Sequence, residues 1–199
     1  MDYTIKENAL DMDNIIKEMR RLYPVSDAAV ARFKSILTKK EIPSKTIILW
    51  AGHYNRTVYF IERGITRSYC LVDGREMTTW FSAEGGFTCS SLSLYRGEAG
   101  FEYVETIEPT TAYCTTISQL KSLTGNDLEL ANWWCRFMEK SFLDMQDRHL
   151  ARLFMNARQR YEMMLRQFPD ICNRVNLGYI ASYLGITQPS LSRIRAGRG

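Results

Sequence analysis

Close to its end the chain carries Thr187, Gln188, Ser190, Ser192, Arg193, Arg195 and Arg198 in one short stretch. Guanidinium, carboxamide and hydroxyl groups hydrogen-bond the edges of base pairs and the oxygens of phosphates. Arg193 shares a helical turn with Gln188 and Ser190, and its planar fork suits two acceptors of guanine; a salt bridge within the helix pair is the competing use. Arg195 and Arg198 suit phosphate. Other chemistry is thinly provided for. The five cysteines, Cys70, Cys89, Cys114, Cys135 and Cys172, stand at least 19 residues apart, without the close pairs that zinc and iron–sulfur sites draw on. His53 and His149 are the only histidines, so a metal centre or a Ser-His-Asp triad would rest on one of them. The expectation is no catalytic residue, no metal and no cofactor.

The elements that would position those donors are legible nearby. Asn176 to Arg195 reads as two short helices around a tight turn. Gly185 supplies the positive φ the turn needs. Ala181 is small where the helices cross, and Ile180, Leu184, Ile186, Leu191 and Ile194 supply a shared core. Thr187 is placed as an N-cap, with Pro189 tolerated in the first turn. Charge points the same way. Residues 148–199 hold nine arginines against two acidic residues, whereas residues 1–147 hold 17 cations against 20 anions. An acidic body with a basic end is expected where that end meets a polyanion.

Upstream, residues 10–22 and 26–37 carry apolar residues at helical spacing, with Ser26 as the second N-cap. From Lys45 to Ile117, runs at 45–50, 57–62, 65–72, 75–81, 101–107 and 111–117 predict strands of a small barrel or double-sheet roll. Asp73-Gly74 between two of them signals a hairpin. Residues 126–154 contain no Gly or Pro; one helix of that length spans about 43 Å, which suits dimerisation through Trp134, Phe137, Met138 and Met145. A further helix is expected over 156–168, before Pro169.

A roll, a long helix and a helix-turn-helix in that order resemble the cyclic-AMP receptor protein/fumarate–nitrate regulator (Crp/Fnr) family. Tyr59-Phe60-Ile61-Glu62-Arg63-Gly64, the hairpin Asp73-Gly74-Arg75-Glu76 and the run Arg148-His149-Leu150-Ala151-Arg152-Leu153 through Arg160-Tyr161 carry the likeness. The resemblance implies sequence-specific binding of double-stranded DNA by a homodimer on an inverted-repeat operator, with RNA polymerase as a further candidate partner. Members that bind a cyclic nucleotide carry Gly-Glu and, some ten residues on, Arg-Ser or Arg-Thr. Here the stretch reads Phe87-Thr88-Cys89-Ser90-Ser91-Leu92 and then Gly100-Phe101-Glu102, with Glu105 and Glu108 adding negative charge. Phe87, Cys89, Ser90, Ser91 and Arg96 are the candidate effector contacts, for an unknown small molecule or none; cyclic AMP and cyclic GMP are not expected to bind.

The fold class expected is therefore α+β: a double-sheet roll flanked by helices (1–125), a long dimerisation helix (126–154) and a helix-turn-helix domain (155–199). The function expected is transcription regulation rather than enzymatic catalysis. A cupin-like enzyme or small-molecule binder is the alternative, and a structural dimer whose roll binds a protein is a third. No run of about 18 apolar residues predicts a membrane span, and Met1 to Glu7 lacks an apolar signal core, so a cytoplasmic protein is expected.

Overall fold

A computed structural model describes residues 11–197; Leu10, expected in the first helix, and Arg198, expected on phosphate, lie outside them. Helix α1 (Asp13–Leu22) has no capping side chain of its own. The N–H groups of Asn14 and Ile15 donate instead to the buried Glu62 carboxylate, at 3.0 and 3.1 Å, so a strand residue supplies the negative charge a helix N-terminus favours. Helix α2 (Asp27–Ser35) starts where Ser26 accepts from the Ala29 N–H, as its sequence predicts.

The strands are β1 (Thr38–Ile42), β2 (Ile47–Leu49), β3 (Thr57–Arg63), β4 (Thr66–Val72), β5 (Arg75–Ser82), β6 (Phe87–Thr88), β7 (Tyr103–Thr106) and β8 (Thr110–Thr116). They form two antiparallel sheets, ordered β1-β8-β3-β6 and β2-β7-β4-β5. This is the double-sheet roll. The β4–β5 hairpin turns at Asp73 and Gly74, with φ of 51° and 74°, the positive pair a type I′ turn requires. Strand alternation sorts the side chains of β3. Tyr59 and Ile61 join Leu49, Val104 and Cys114 between the sheets. Val58 and Phe60 face a second core, built with α1 and α2.

Helix α3 (Ser91–Tyr95) follows β6. Helix α4 (Ile117–Asn126), opened by a Thr116/Gln119 capping box, occupies a stretch read from sequence only as the end of the strands. Helix α5 (Leu128–Phe154) starts at Asp127, which accepts from the N–H groups of Glu129 and Leu130. After it come α6 (Ala157–Gln167), α7 (Ile171–Arg174), α8 (Leu177–Leu184) and α9 (Gln188–Arg195). No helix among the described residues is long and apolar enough to cross a membrane.

Helix α5 meets different surroundings along its length. Its first half completes the core on the first sheet: Leu130, Trp133 and Phe137 are buried there with Phe33 and Phe60. Phe137, expected at an interface between protomers, is 6% exposed within its own chain. Trp134 stacks on Phe137 at 5.7 Å, and Trp134 and Met138 are half-buried against the same core. Burying side chains this large contributes about 1.5–3 kcal/mol each, which fixes that half of the helix to the roll. In the second half Ala151 is buried, but Phe142, Leu143, Met145, Leu150, Leu153 and Phe154 all face solvent.

Candidate nucleic-acid interface

The turn between α8 and α9 is built as its sequence predicts. Asn176 caps α8 by accepting from the Gly178 N–H at 2.7 Å. Gly185 takes φ 69°, and the N–H groups of Gly185 and Ile186 close back on Ser182 and Ala181 carbonyls at 3.1 and 3.0 Å. That satisfies carbonyls which a helix end otherwise leaves unpaired. Thr187 caps α9 by accepting from the Ser190 N–H. Ile180, Ala181, Leu184 and Leu191 are buried between the helices and what lies under them, with Ile186 partly buried beside them.

The donors expected on α9 divide into two groups. Thr187 and Ser190 are occupied locally: their hydroxyls lie 2.9 Å apart, and Arg193 Nη2 donates to Ser190 Oγ at 3.3 Å. Gln188, Ser192, Arg193 and Arg195 are exposed. Arg193 pairs with no carboxylate among the described residues, so its fork remains available to an outside acceptor. Arg195 stands near Tyr161 on α6, whose hydroxyl lies 3.4 Å from Cys172 Sγ and is pushed up chiefly by burial.

The first helix of the pair is fastened down. Ile65 and Phe81 of the roll share one core with Met164, Ile171, Ile180, Leu184 and Leu191. The Thr78 N–H on β5 donates to Ser182 Oγ at 2.9 Å, and Ser182 Oγ donates to the Glu76 carbonyl at 3.3 Å. Two guanidinium groups are sandwiched between roll and α8. Arg67 lies 4.2 Å from the Tyr69 ring centroid and 3.6 Å from that of Tyr179. Arg148 lies 5.2 Å from the Trp80 ring and 5.0 Å from Tyr183. Arg67 is 1% exposed and ion-paired with Glu76 and Glu105. Burial pushes the Glu105 carboxyl up despite that pairing. At the edge, Arg174 on α7 bonds Glu84 and Glu108 of the roll and Asp170 of its own loop.

Sequence reasoning missed these fastening residues, and they change the meaning of the basic tail. Arg152 Nη2 donates to the Tyr183 carbonyl at 3.3 Å, and Arg160 Nε to the Leu184 carbonyl at 3.1 Å. Both serve the C-terminal end of α8, where a cation is favoured. Arg158 pairs with Glu162 at 3.3 Å. Arg148 and Arg174 are engaged within the protein in the same way, so much of the described basic tail is spent on internal partners. Composition alone gave no sign of this; the i,i+4 spacing of Tyr179 and Tyr183 on one face of α8 was the available signal.

The candidate effector residues gather only in part. Cys89, Ser90 and Ser91 line one cavity of about 10 Å³, room for no more than one water where ligand pockets occupy about 300–1,000 Å³. Phe87 is instead packed among Phe60, Trp134 and Phe137, and Arg96 is exposed at the end of α3. Ser90 caps α3 through the Ser93 N–H. Burial, with the charge of Glu102, pushes the Cys89 thiol up to about 12, so it stays protonated at neutral pH. Glu105 and Glu108, read from sequence as negative charge near this pocket, are committed to Arg67 and Arg174.

No protein-family model matches the chain, and no curated protein matches it. Solved structures do. FixK2 from Bradyrhizobium japonicum is similar with a TM-score of 0.69 at 21% identity, over 81% of this chain and 84% of that one. CLP from Xanthomonas campestris, a c-di-GMP-responsive global regulator, gives 0.65 at 16% identity, over 86% and 91%. A Eubacterium rectale protein assigned to the Crp/Fnr-family transcriptional regulators gives 0.64 at 17%, over 89% and 87%. The likeness is one of fold: this chain has the roll and helical C-terminal arrangement of Crp/Fnr-type regulators.

Proposed function

We propose that the chain is a transcription regulator that binds double-stranded DNA sequence-specifically as a homodimer, with α9 in the major groove. One observation carries the reading: α8 is fastened to the protein while α9 turns Gln188, Ser192 and Arg193 outward, with no carboxylate among the described residues on Arg193. A helix-turn-helix uses its second helix in that way. The fold shared with Crp/Fnr-type regulators supports the same assignment.

The dimer seam proposed differs from the sequence expectation. Leu128, Cys135, Phe142 and His149 recur every seven residues on α5, with Ala131, Met138 and Met145 between them. That is the a/d pattern of a two-stranded coiled coil, and it lies away from the core face of Trp133 and Phe137. Met138 and Met145 stay in the seam; Trp134 and Phe137 leave it. A two-fold axis along it would set two recognition helices about 34 Å apart, on successive major grooves, so the operator would be an inverted repeat.

Selection from a random duplex library, followed by footprinting and salt titration, tests the reading. The expected result is one inverted repeat, bound more tightly than random duplex and more weakly as salt rises. Equal affinity for selected and random duplex defeats it. A chain that sediments as a monomer at micromolar concentration defeats the dimer. The small cavity at Cys89, Ser90 and Ser91, with Glu102 in its lining, supports the further expectation that cyclic AMP and cyclic GMP do not bind, which calorimetry checks directly.

A further inference from the structure

Two helices of a reading head need a reference surface, and here the surface is the second sheet. Its contacts with α8 are of three kinds: a shared apolar core, hydrogen bonds from β5, and guanidinium groups clasped between aromatic rings of roll and helix. Arg174 adds an ionic contact at the far edge. The cavity where an effector would act is about 10 Å³. All of these contacts are made by the chain's own residues.

We infer that Tyr179 and Arg174 are positioning residues: they hold α9 at one place on the roll, so that the spacing between two half-sites is selected without a bound effector. The inference rests on the DNA-binding reading above. Its physical basis is effective concentration. In a dimer, the second half-site is reached from a complex already anchored at the first, and a stiff connection concentrates the second α9 at one spacing only. Tyr179 supplies the α8 side of the Arg67 clamp, and Arg174 ties α7 to Glu84 and Glu108. Removing both leaves α9 and its donors untouched but loosens their mounting. The consequence is loss of preference among spacings, with half-site recognition retained.

The test begins with protein unfolded in guanidinium, freed of small molecules by gel filtration, and refolded. Duplex selection on this material should yield an inverted repeat of one dominant spacing. The selected site and versions lengthened or shortened by about two base pairs are then titrated against wild type, Tyr179→Phe, Tyr179→Ala, Arg174→Gln and the double variant Tyr179→Ala/Arg174→Gln. Wild type and Tyr179→Phe, which keeps the ring, should discriminate among spacings. The double variant should lose about tenfold of that discrimination, while its preference for one half-site over random duplex persists. Circular dichroism and sedimentation establish that each variant remains folded and dimeric; if the double variant unfolds, the single variants carry the comparison, with losses in the same direction.

Two results overturn the inference while leaving DNA binding intact. One is a stripped protein that selects an operator only after a small-molecule extract of cells is added. The other is spacing discrimination unchanged in folded variants lacking the clamp. Selection of no sequence, with or without extract, is a different failure: it removes the DNA-binding reading itself, and the inference with it.

Discussion

Helices α8 and α9 are eight residues each and stand three residues apart, yet they meet different worlds. In α8, Ile180, Ala181, Tyr183 and Leu184 are buried; in α9 only Leu191 is. Polar content follows burial: α8 contributes tyrosines to guanidinium clamps, and α9 contributes the Arg193 fork, which meets no anion among the described residues. Fastening to the roll thus falls to α8, and exposed hydrogen-bond donors fall to α9, the helix proposed to read DNA. The largest effect expected from breaking this division is on stability. Ile180→Ala should cost about 2–5 kcal/mol, read from the denaturation midpoint, while the exposed donors of α9 are unaltered. Next, Arg193→Ala should cost about 1–3 kcal/mol per half-site and relax preference at one base position, with stability unchanged. Footprinting on wild type and variant operators checks it.

Smaller effects sharpen the same division. Thr187→Ala removes the α9 cap and should cost about 1 kcal/mol of stability, appearing first as faster amide exchange at Ser190. Arg195→Ala should weaken all duplexes alike and reduce the salt slope by about one; a base-specific loss would mean that Arg195 reads sequence. The smallest effect concerns pH. Burial pushes the Glu84 carboxyl up, but hydrogen bonds from Arg174 and the Gly64 N–H outweigh it and hold it below the ordinary range. A depressed carboxylate contributes stability above its unfolded value and loses it as pH falls through the folded value. The stability gap between wild type and Arg174→Gln, less than about 1 kcal/mol for a partly exposed pair, should therefore close on acidification below the ordinary carboxylate range. Glu105 acts oppositely, since its raised value means that protonation relieves the burial of its charge.

What could be read in advance was whatever the chain encodes locally. Gly185, Thr187 and Pro189 specify a turn and a cap by their own backbone chemistry, so the helix pair was visible to the residue. Strands with apolar alternation, such as β3, were visible too. Strand β1 was not: Thr38, Lys39, Lys40 and Glu41 are all exposed on the edge of a sheet, where lysines discourage pairing with another chain and erase the alternation. Helix α4 hid behind Ser122, Thr124 and Gly125, weak helix formers offset by its capping box and its packing on α5. The roles of Arg67, Arg148 and Arg174 depend on partners brought from distant strands and helices, and the i,i+4 pair Tyr179 and Tyr183 hints at a clamp without naming the guanidinium groups it holds. For the same reason Phe137 and Phe142 look alike as sequence and separate only when the roll decides which face of α5 it covers.

The Glu62 carboxylate bound to the first turn of α1 has a kinetic meaning. A ten-residue helix without its own cap is marginal in isolation, because nucleation fixes several dihedrals for one hydrogen bond. Glu62 stands 48 residues away from Asn14 and becomes available only when β3 is in place. Helix α1 is thus a late guest of the roll rather than a seed for it. Its amides should gain protection in refolding only after those of β3 and β8, which makes the first turn of α1 a natural reporter on whether the roll beneath it has formed.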